Sequence, residues 1–397
     1  MGSVPMVTSP RIRVALSAAC ATALALATPI VEASPANAAD TITAADQPYF
    51  AYYHLDQARA KGYTGKGVTV AIIDGKVDTA ANELNGATVT DKTPCTVTVT
   101  PESTGHGTGT ASILVARDYG VVPDATLLAY QTDAGDADPG SDCTGIGGIN
   151  LAGYPSLINH AINDGAQIIN LSAGSSDHSN ELRWAIARAI HQGILITGSA
   201  GNEARDANNK HLGWWSGVVG VSAVDQNGAF ASYSSWGQGV TTAAVGGPVI
   251  TRDYPSNAFV ETYGTSSSAP IVAGFLALAR QKWPDATANQ LLQLLVHTTV
   301  NTDGGWNQYT GYGLASPATM INTDPSQYPD ENPLADKGGA TSPTPEEVRQ
   351  YADGIVDPSE IVYDNSYTYR GLDENTLTST NNPYPTHIGT SPRYHTK

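Results

Sequence analysis

Three short stretches of the chain carry side chains suited to nucleophilic chemistry. Asp74 closes the apolar run 69–73. His106 stands within Gly105-His106-Gly107-Thr108 at the start of a helix of small residues. Three adjacent serines, Ser266, Ser267 and Ser268, open a second helix between Gly264-Thr265 and Ala269-Pro270. A serine hydroxyl is a poor nucleophile until an adjacent base takes its proton. Histidine can be that base if a carboxylate holds the imidazole in one tautomer and stabilises its cation. A serine at a helix start also sits beside unpaired N–H groups that can face a developing oxyanion. Each stretch alone is weak evidence, since a serine-rich helix start is commonly only a cap. Other histidines fit bland roles: His160 and His191 fall near helix C-termini, where a cation suits the dipole.

A scaffold must bring these groups together. The runs 69–73, 126–130, 167–171, 194–197 and 218–221 are short and mostly apolar, as in strands buried on both faces of a parallel sheet. Helical patterns lie between them. Residues 181–191 place Leu182, Ala185, Ile186, Ala189 and Ile190 on one face and stop at Gly193; residues 156–164 stop at Gly165. This alternation predicts an α/β fold with a doubly wound, mostly parallel sheet and helices on both faces. Ligands in such folds sit at the carboxyl ends of the strands, which is where Asp74 falls.

The 397 residues include 37 acids and 20 bases, a net charge of -17 that excludes nucleic acid as a partner. Arg11 and Arg13 precede the apolar run 14–27, and Ala36-Asn37-Ala38 offers a small-x-small cleavage pattern. Residues 1–38 therefore read as a secretory signal, with no membrane span expected in the mature chain. Cys95 and Cys143 then meet an oxidising compartment and are expected to form one disulfide. From 321 to 397, Leu, Ile, Val and Phe make up only 10 of 77 residues. That composition predicts a largely extended or disordered acidic tail, with one short helix near 345–352.

From about Asp46 to about Thr319 the chain resembles the subtilisin-like serine peptidases, or subtilases. The most specific pieces are Gly105-His106-Gly107-Thr108 and Gly264-Thr265-Ser266 with Pro270. Ser199-Ala200-Gly201-Asn202-Glu203, Leu171-Ser172-Ala173-Gly174 and the segment 231–237 also agree. The resemblance implies a peptidase domain over 39–320 and a secreted, extracellular, monomeric serine endopeptidase acting on peptide or protein substrates. It implies Ser266, four residues before Pro270, as nucleophile, His106 as base, Asp74 as its orienting carboxylate and Asn202 as oxyanion donor. Ser172, Ala173 and Gly174, with Ser199, Ala200 and Gly201, would bind substrate and line its primary pocket.

Several residues depart from the family pattern. Gly75-Lys76 follows Asp74 where subtilases usually have Ser or Thr and then Gly. A less firmly oriented carboxylate is expected, with Lys76 as a competing partner. Gly109 and Ser112 replace the usual His and Gly, and Ala173 is smaller than is common. These departures support an alternative of another class, a catalytically degenerate subtilase that binds a peptide or partner. The short span from Ala38 to Asp74 leaves no room for a folding propeptide. In this the chain resembles the mycosin branch, though without its C-terminal membrane helix. The acidic stretch 133–142 reads as a solvated loop on the cleft rim that favours basic substrates; no cofactor is expected, and a structural calcium there is left open.

Overall fold

Strands form where apolar residues follow one another, because both faces of the sheet are covered. They are β1 (Thr69–Asp74), β2 (Thr88–Asp91), the two-residue β3 (Val97–Thr98), β4 (Thr126–Gln131), the two-residue β5 (Asp138–Pro139), β6 (Ile168–Leu171), β7 (Leu195–Ser199), β8 (Val218–Val224), β9 (Val240–Val245), β10 (Val249–Arg252) and β11 (Phe259–Thr262). The helices are α1 (Pro48–Tyr52), α2 (Leu55–Ala60), α3 (Pro101–Val115), α4 (Tyr154–Asn163), α5 (Asn180–His191), α6 (Thr265–Lys282), α7 (Ala288–His297), α8 (Pro317–Asn322) and α9 (Pro345–Ala352). This computed structural model describes residues 41–365 except 134–137, 146–147, 173, 176, 209, 255, 301–303, 355 and 357–359. The expected signal 1–38, Ala173, residues 134–137 of the acidic loop and the tail beyond 365 lie outside the described residues.

Among the described residues the main sheet runs β2-β4-β1-β6-β7-β8-β9, and every pairing in it is parallel. The predicted doubly wound α/β fold is therefore present. Side chains alternate across β1, so Val70 and Ile72 join a core with α3, α6 and α7. Ala71 and Ile73 face the opposite core, built with α4 and α5. Helix α6 is apolar nearly all round and buried through Ala279, so it runs through the interior. Two strands of this sheet were not legible as runs. The outer strand β2 is mostly exposed, and β9, though fully buried, is interrupted by Thr241 and Thr242.

The disulfide is present: Cys95 and Cys143 are joined, with Cα atoms 5.0 Å apart. It lies beside the small antiparallel pair β3–β5.

The reading of 321–397 as a largely extended or disordered tail does not hold for residues 321–365. Leu334, Tyr351, Val356, Ile361, Val362 and Tyr363 are buried, and the expected short helix is α9. Polar contacts do much of the docking. Arg188 of α5 is buried and pairs with Asp364 at 3.2 Å, and the Trp184 indole donates to Glu360 at 2.8 Å. The Lys337 ammonium donates to the carbonyls of Gly213 (2.7 Å), Gly239 (3.0 Å) and Val218. Burial pushes its pKa down to about 7. Low apolar content rules out an independent core, but this segment borrows one from the surface it lies on.

Lys337→Met keeps the stem and strands three carbonyls. We expect a loss of ~2–4 kcal/mol, read as a lower urea midpoint at unchanged slope. An unchanged midpoint would contradict the clamp.

Candidate active site

Backbone contacts decide where His106 stands. Thr100 caps α3, its hydroxyl accepting the Ser103 N–H at 3.2 Å, with Pro101 at the first helical position. The first turns of α3 lie directly against the chain leaving β1. A Cβ on Gly107 would sit 2.4 Å from the Gly75 carbonyl oxygen, and one on Gly75 would sit 2.2 Å from that of Ser103. Neither position has room for a side chain. The Gly75 departure is thus a packing requirement: the space a Ser or Thr would need is filled by Ser103.

This approach brings His106 Nδ1 to 2.6 Å from Asp74 Oδ1, which also accepts the Gly75 N–H at 2.6 Å. Asp74 is fully buried, and its Oδ2 has no hydrogen-bond partner among the described residues. The expected competition from Lys76 does not occur, because Lys76 turns away to pair with Asp91. The Asp74 carboxylate raises the His106 pKa above its ordinary value, against the opposing effect of burial.

Of the three serines only Ser266 is accessible. Ser267 and Ser268 are buried, and Ser268 Oγ donates to the Ala244 carbonyl at 3.0 Å. Pro270 has no N–H, so the Ser266 carbonyl loses its normal helical donor. The Ser172 hydroxyl donates to it at 3.0 Å. Asn170 Nδ2 in turn donates to Ser172 Oγ at 2.8 Å, and the Thr197 hydroxyl donates to Asn170 Oδ1 at 2.9 Å. Asn202 is oriented just as firmly. Its Oδ1 accepts the N–H of Thr265 at 2.8 Å and its hydroxyl at 3.0 Å. With Oδ1 engaged, Nδ2 is the free end. A Cβ placed on Gly264 would lie 3.0 Å from Ser266 Oγ and 3.2 Å from Asn202 Nδ2, so both atoms border the space above Gly264.

His106, Asn202 and Ser266 line one cleft of about 390 Å³, together with Tyr254 and Tyr263. Its far wall is the β10–β11 hairpin, fixed by an Arg252–Glu83 pair at 2.6 Å and by Arg252 over the Phe259 ring. A Cβ on Gly109 would come 3.1 Å from Thr251 of this hairpin, which accounts for a small residue there. Ser112 is buried and donates to the Thr108 carbonyl at 2.8 Å.

Of the predicted substrate-binding residues, Gly174 is exposed while Ser172, Ser199, Ala200 and Gly201 are buried. Ser199 donates to the Ser172 carbonyl at 3.3 Å, and the Gly201 N–H donates to the Thr265 hydroxyl at 3.0 Å. Sequence reading missed Thr265, Asn170 and the hairpin wall. Thr265 could have been suspected, since it directly precedes Ser266 with a hydroxyl able to reach back.

Residues 65–313 match the sequence model described as Subtilase family. The chain belongs to the subtilase family. It is 34% identical over 277 residues to a thermostable alkaline protease of Halalkalibacterium halodurans, covering 68% of this chain and 72% of that protein. Against Subtilisin DY of Bacillus licheniformis it is 31% identical over 270 residues, covering 65% of this chain and 92% of the relative. Among solved structures it is similar to MycP1 from the ESX-1 type VII secretion system. The TM-score is 0.61 at 26% identity, covering 74% of this chain and 90% of that one. This subtilase is thus a serine endopeptidase with mycosin-like structural neighbours. Among its described residues no helix is long and apolar enough to cross a membrane.

If the Asn202 amide serves the oxyanion, Asn202→Ala lowers kcat about 10²–10³-fold. Thr265→Val loosens the same amide and should cost less, mainly in kcat. A larger effect on KM than on kcat would count against that role.

Proposed function

We propose that the chain is a secreted endopeptidase that cleaves peptide bonds with Asp74, His106 and Ser266, aided by Asn202. The observation that carries this is the 2.6 Å contact between His106 and buried Asp74 at the edge of the cleft that also holds Ser266 and Asn202. Ser266 Oγ attacks the substrate carbonyl carbon while His106 takes its proton. The carbonyl oxygen gains negative charge and is met by Asn202 Nδ2 and by N–H groups at the start of α6. Collapse expels the amine, protonated by His106, and leaves an acyl ester on Ser266. Water, deprotonated by His106, then releases the acid. Gly174 is the exposed part of the strand end that would pair with substrate backbone. Three of the groups lining one cleft, with Asp74 buried behind His106, favour cleavage over binding alone.

Export is supported by the signal pattern in 1–38 and by the Cys95–Cys143 disulfide, which persists in oxidising compartments. The acidic rim adds a substrate preference. Asp133, Asp177 and Glu181 line a second cavity of about 530 Å³ with Asn150 and Tyr154, just past Gly174. Basic side chains on the substrate suit it.

Ser266→Ala should abolish hydrolysis of an unfolded protein substrate and labelling by a fluorophosphonate probe; labelling that survives would sink the nucleophile assignment. Activity needs neutral His106, whose pKa is raised, so kcat should climb with pH through a limb above about 6.5. Asp74→Asn should move that limb down and cut kcat about 10⁴-fold. Lys-rich peptides should be cleaved faster than Glu-rich ones at low salt, with the gap closing as salt is added.

A further inference from the structure

Strands β6 and β7 pair as far as Leu171 and Gly198 and then part, beside Ser266 and Asn202. A side chain from the acyl half of the substrate would enter the opening with Ser172 and Gly174 on one side and Ser199, Ala200 and Gly201 on the other. That opening is occupied by an imidazole. A Cβ on Gly174 would lie 3.2 Å from His211 Nδ1, and one on Gly201 would lie 2.3 Å from His211 Nε2. The ring therefore spans the gap, and both walls are glycine where they meet it.

The ring is held there. His211 Nε2 donates to Glu203 Oε2 at 3.2 Å, and Glu203 Oε2 also accepts the Ser235 hydroxyl at 2.9 Å. The His211 side chain is only 9% exposed, and its Nδ1 has no partner among the described residues. Burial holds its pKa below the ordinary value against the pull of Glu203, so the ring is neutral near pH 7. The following turn is also pinned. Lys337 grips the Gly213 carbonyl at 2.7 Å, and Trp215 stacks on His178 with ring centroids 5.7 Å apart. Swinging the imidazole out would break its bond to Glu203, while the held turn keeps its backbone from moving with it.

We infer that His211 plugs the primary specificity pocket, so that this peptidase cleaves after residues the size of Gly, Ala or Ser and rejects large side chains. This rests on the proposed placement of substrate along Ser172–Gly174 and on Ser266 as nucleophile. A bulky group would have to displace a pinned, buried ring, whereas a methyl group or a hydrogen stops above it. His211 is a specificity-determining residue in this scheme and takes no part in proton transfer.

The test compares otherwise identical peptide anilides ending in Ala or Phe, with the full chain and with fluorophosphonate labelling as a check on Ser266. Wild type should favour Ala over Phe by at least about tenfold in kcat/KM, a steric discrimination within reach of one filled pocket. His211→Gly should shift the Phe/Ala ratio toward Phe by about tenfold or more. His211→Ser, a milder opening, should shift it the same way and stands in if the glycine variant fails to fold. Wild-type protein that labels yet cleaves after Phe as well as after Ala overturns the plug alone. So does a Phe/Ala ratio unmoved in both variants. Wild type that neither labels nor cleaves overturns the nucleophile assignment and the plug with it.

Discussion

The active site depends on two missing side chains. Helix α3 can lie against the chain leaving β1 only because Gly75 and Gly107 have no Cβ, and that contact places His106 on Asp74. A carboxylate buried at the end of a strand is unfavourable unless it is hydrogen-bonded and paired. Here Oδ1 has two hydrogen-bonding neighbours, the Gly75 N–H and the imidazole, and Oδ2 has none among the described residues. His106 is therefore the main compensation for burying Asp74. The raised His106 pKa and the tolerated burial of Asp74 are one interaction seen from its two ends.

The other half of the site is organised by a proline. Within a helix, Pro270 removes the N–H that would have bonded the Ser266 carbonyl, a loss worth ~3 kcal/mol in an ordinary helix interior. In this chain the freed carbonyl is taken by Ser172, itself tied through Asn170 to Thr197 on the neighbouring strand. The backbone of Ser266 is thereby registered to the sheet as well as to its own helix. Thr265 does the same for Asn202 from the opposite side. Ser-x-x-x-Pro is thus a wiring pattern, in which the missing donor couples Ser266 to the end of the neighbouring strand.

Much of this was legible in the sequence, and the exceptions have physical causes. Buried parallel strands are continuous apolar runs, so β1, β4, β6, β7 and β8 stood out, whereas β9 hides two buried threonines whose hydroxyls are satisfied locally, Thr242 by the Gly313 carbonyl and Thr241 by the Gly220 N–H. The small residues around His106 marked the site but not their purpose. Gly75 read as a lost hydroxyl because the Ser103 backbone occupying its place is 28 positions away in the chain. Lys76 read as a rival for Asp74 because sequence neighbours at a strand end need not point the same way; it reaches Asp91 instead. His211 carried no motif at all. Its place follows from two glycines past the ends of separate strands, which no local pattern connects.

The segment after residue 320 shows how composition can mislead about order. A chain poor in Leu, Ile and Val cannot bury enough apolar surface to fold alone. It can still dock wherever a finished domain presents backbone groups that lack partners. The turn from His211 to Val218 is such a place. Gly217 donates its N–H to the Leu334 carbonyl at 2.8 Å, Ser216 donates to the Ser342 carbonyl at 3.0 Å, and Lys337 collects the Gly213 and Val218 carbonyls. Every one of these partners lies beyond the 65–313 region that matches the family. The turn that follows His211 is therefore stiffened by a polar strap outside the region that matches the family, and the strap's hydrogen bonds here involve none of Asp74, His106 or Ser266.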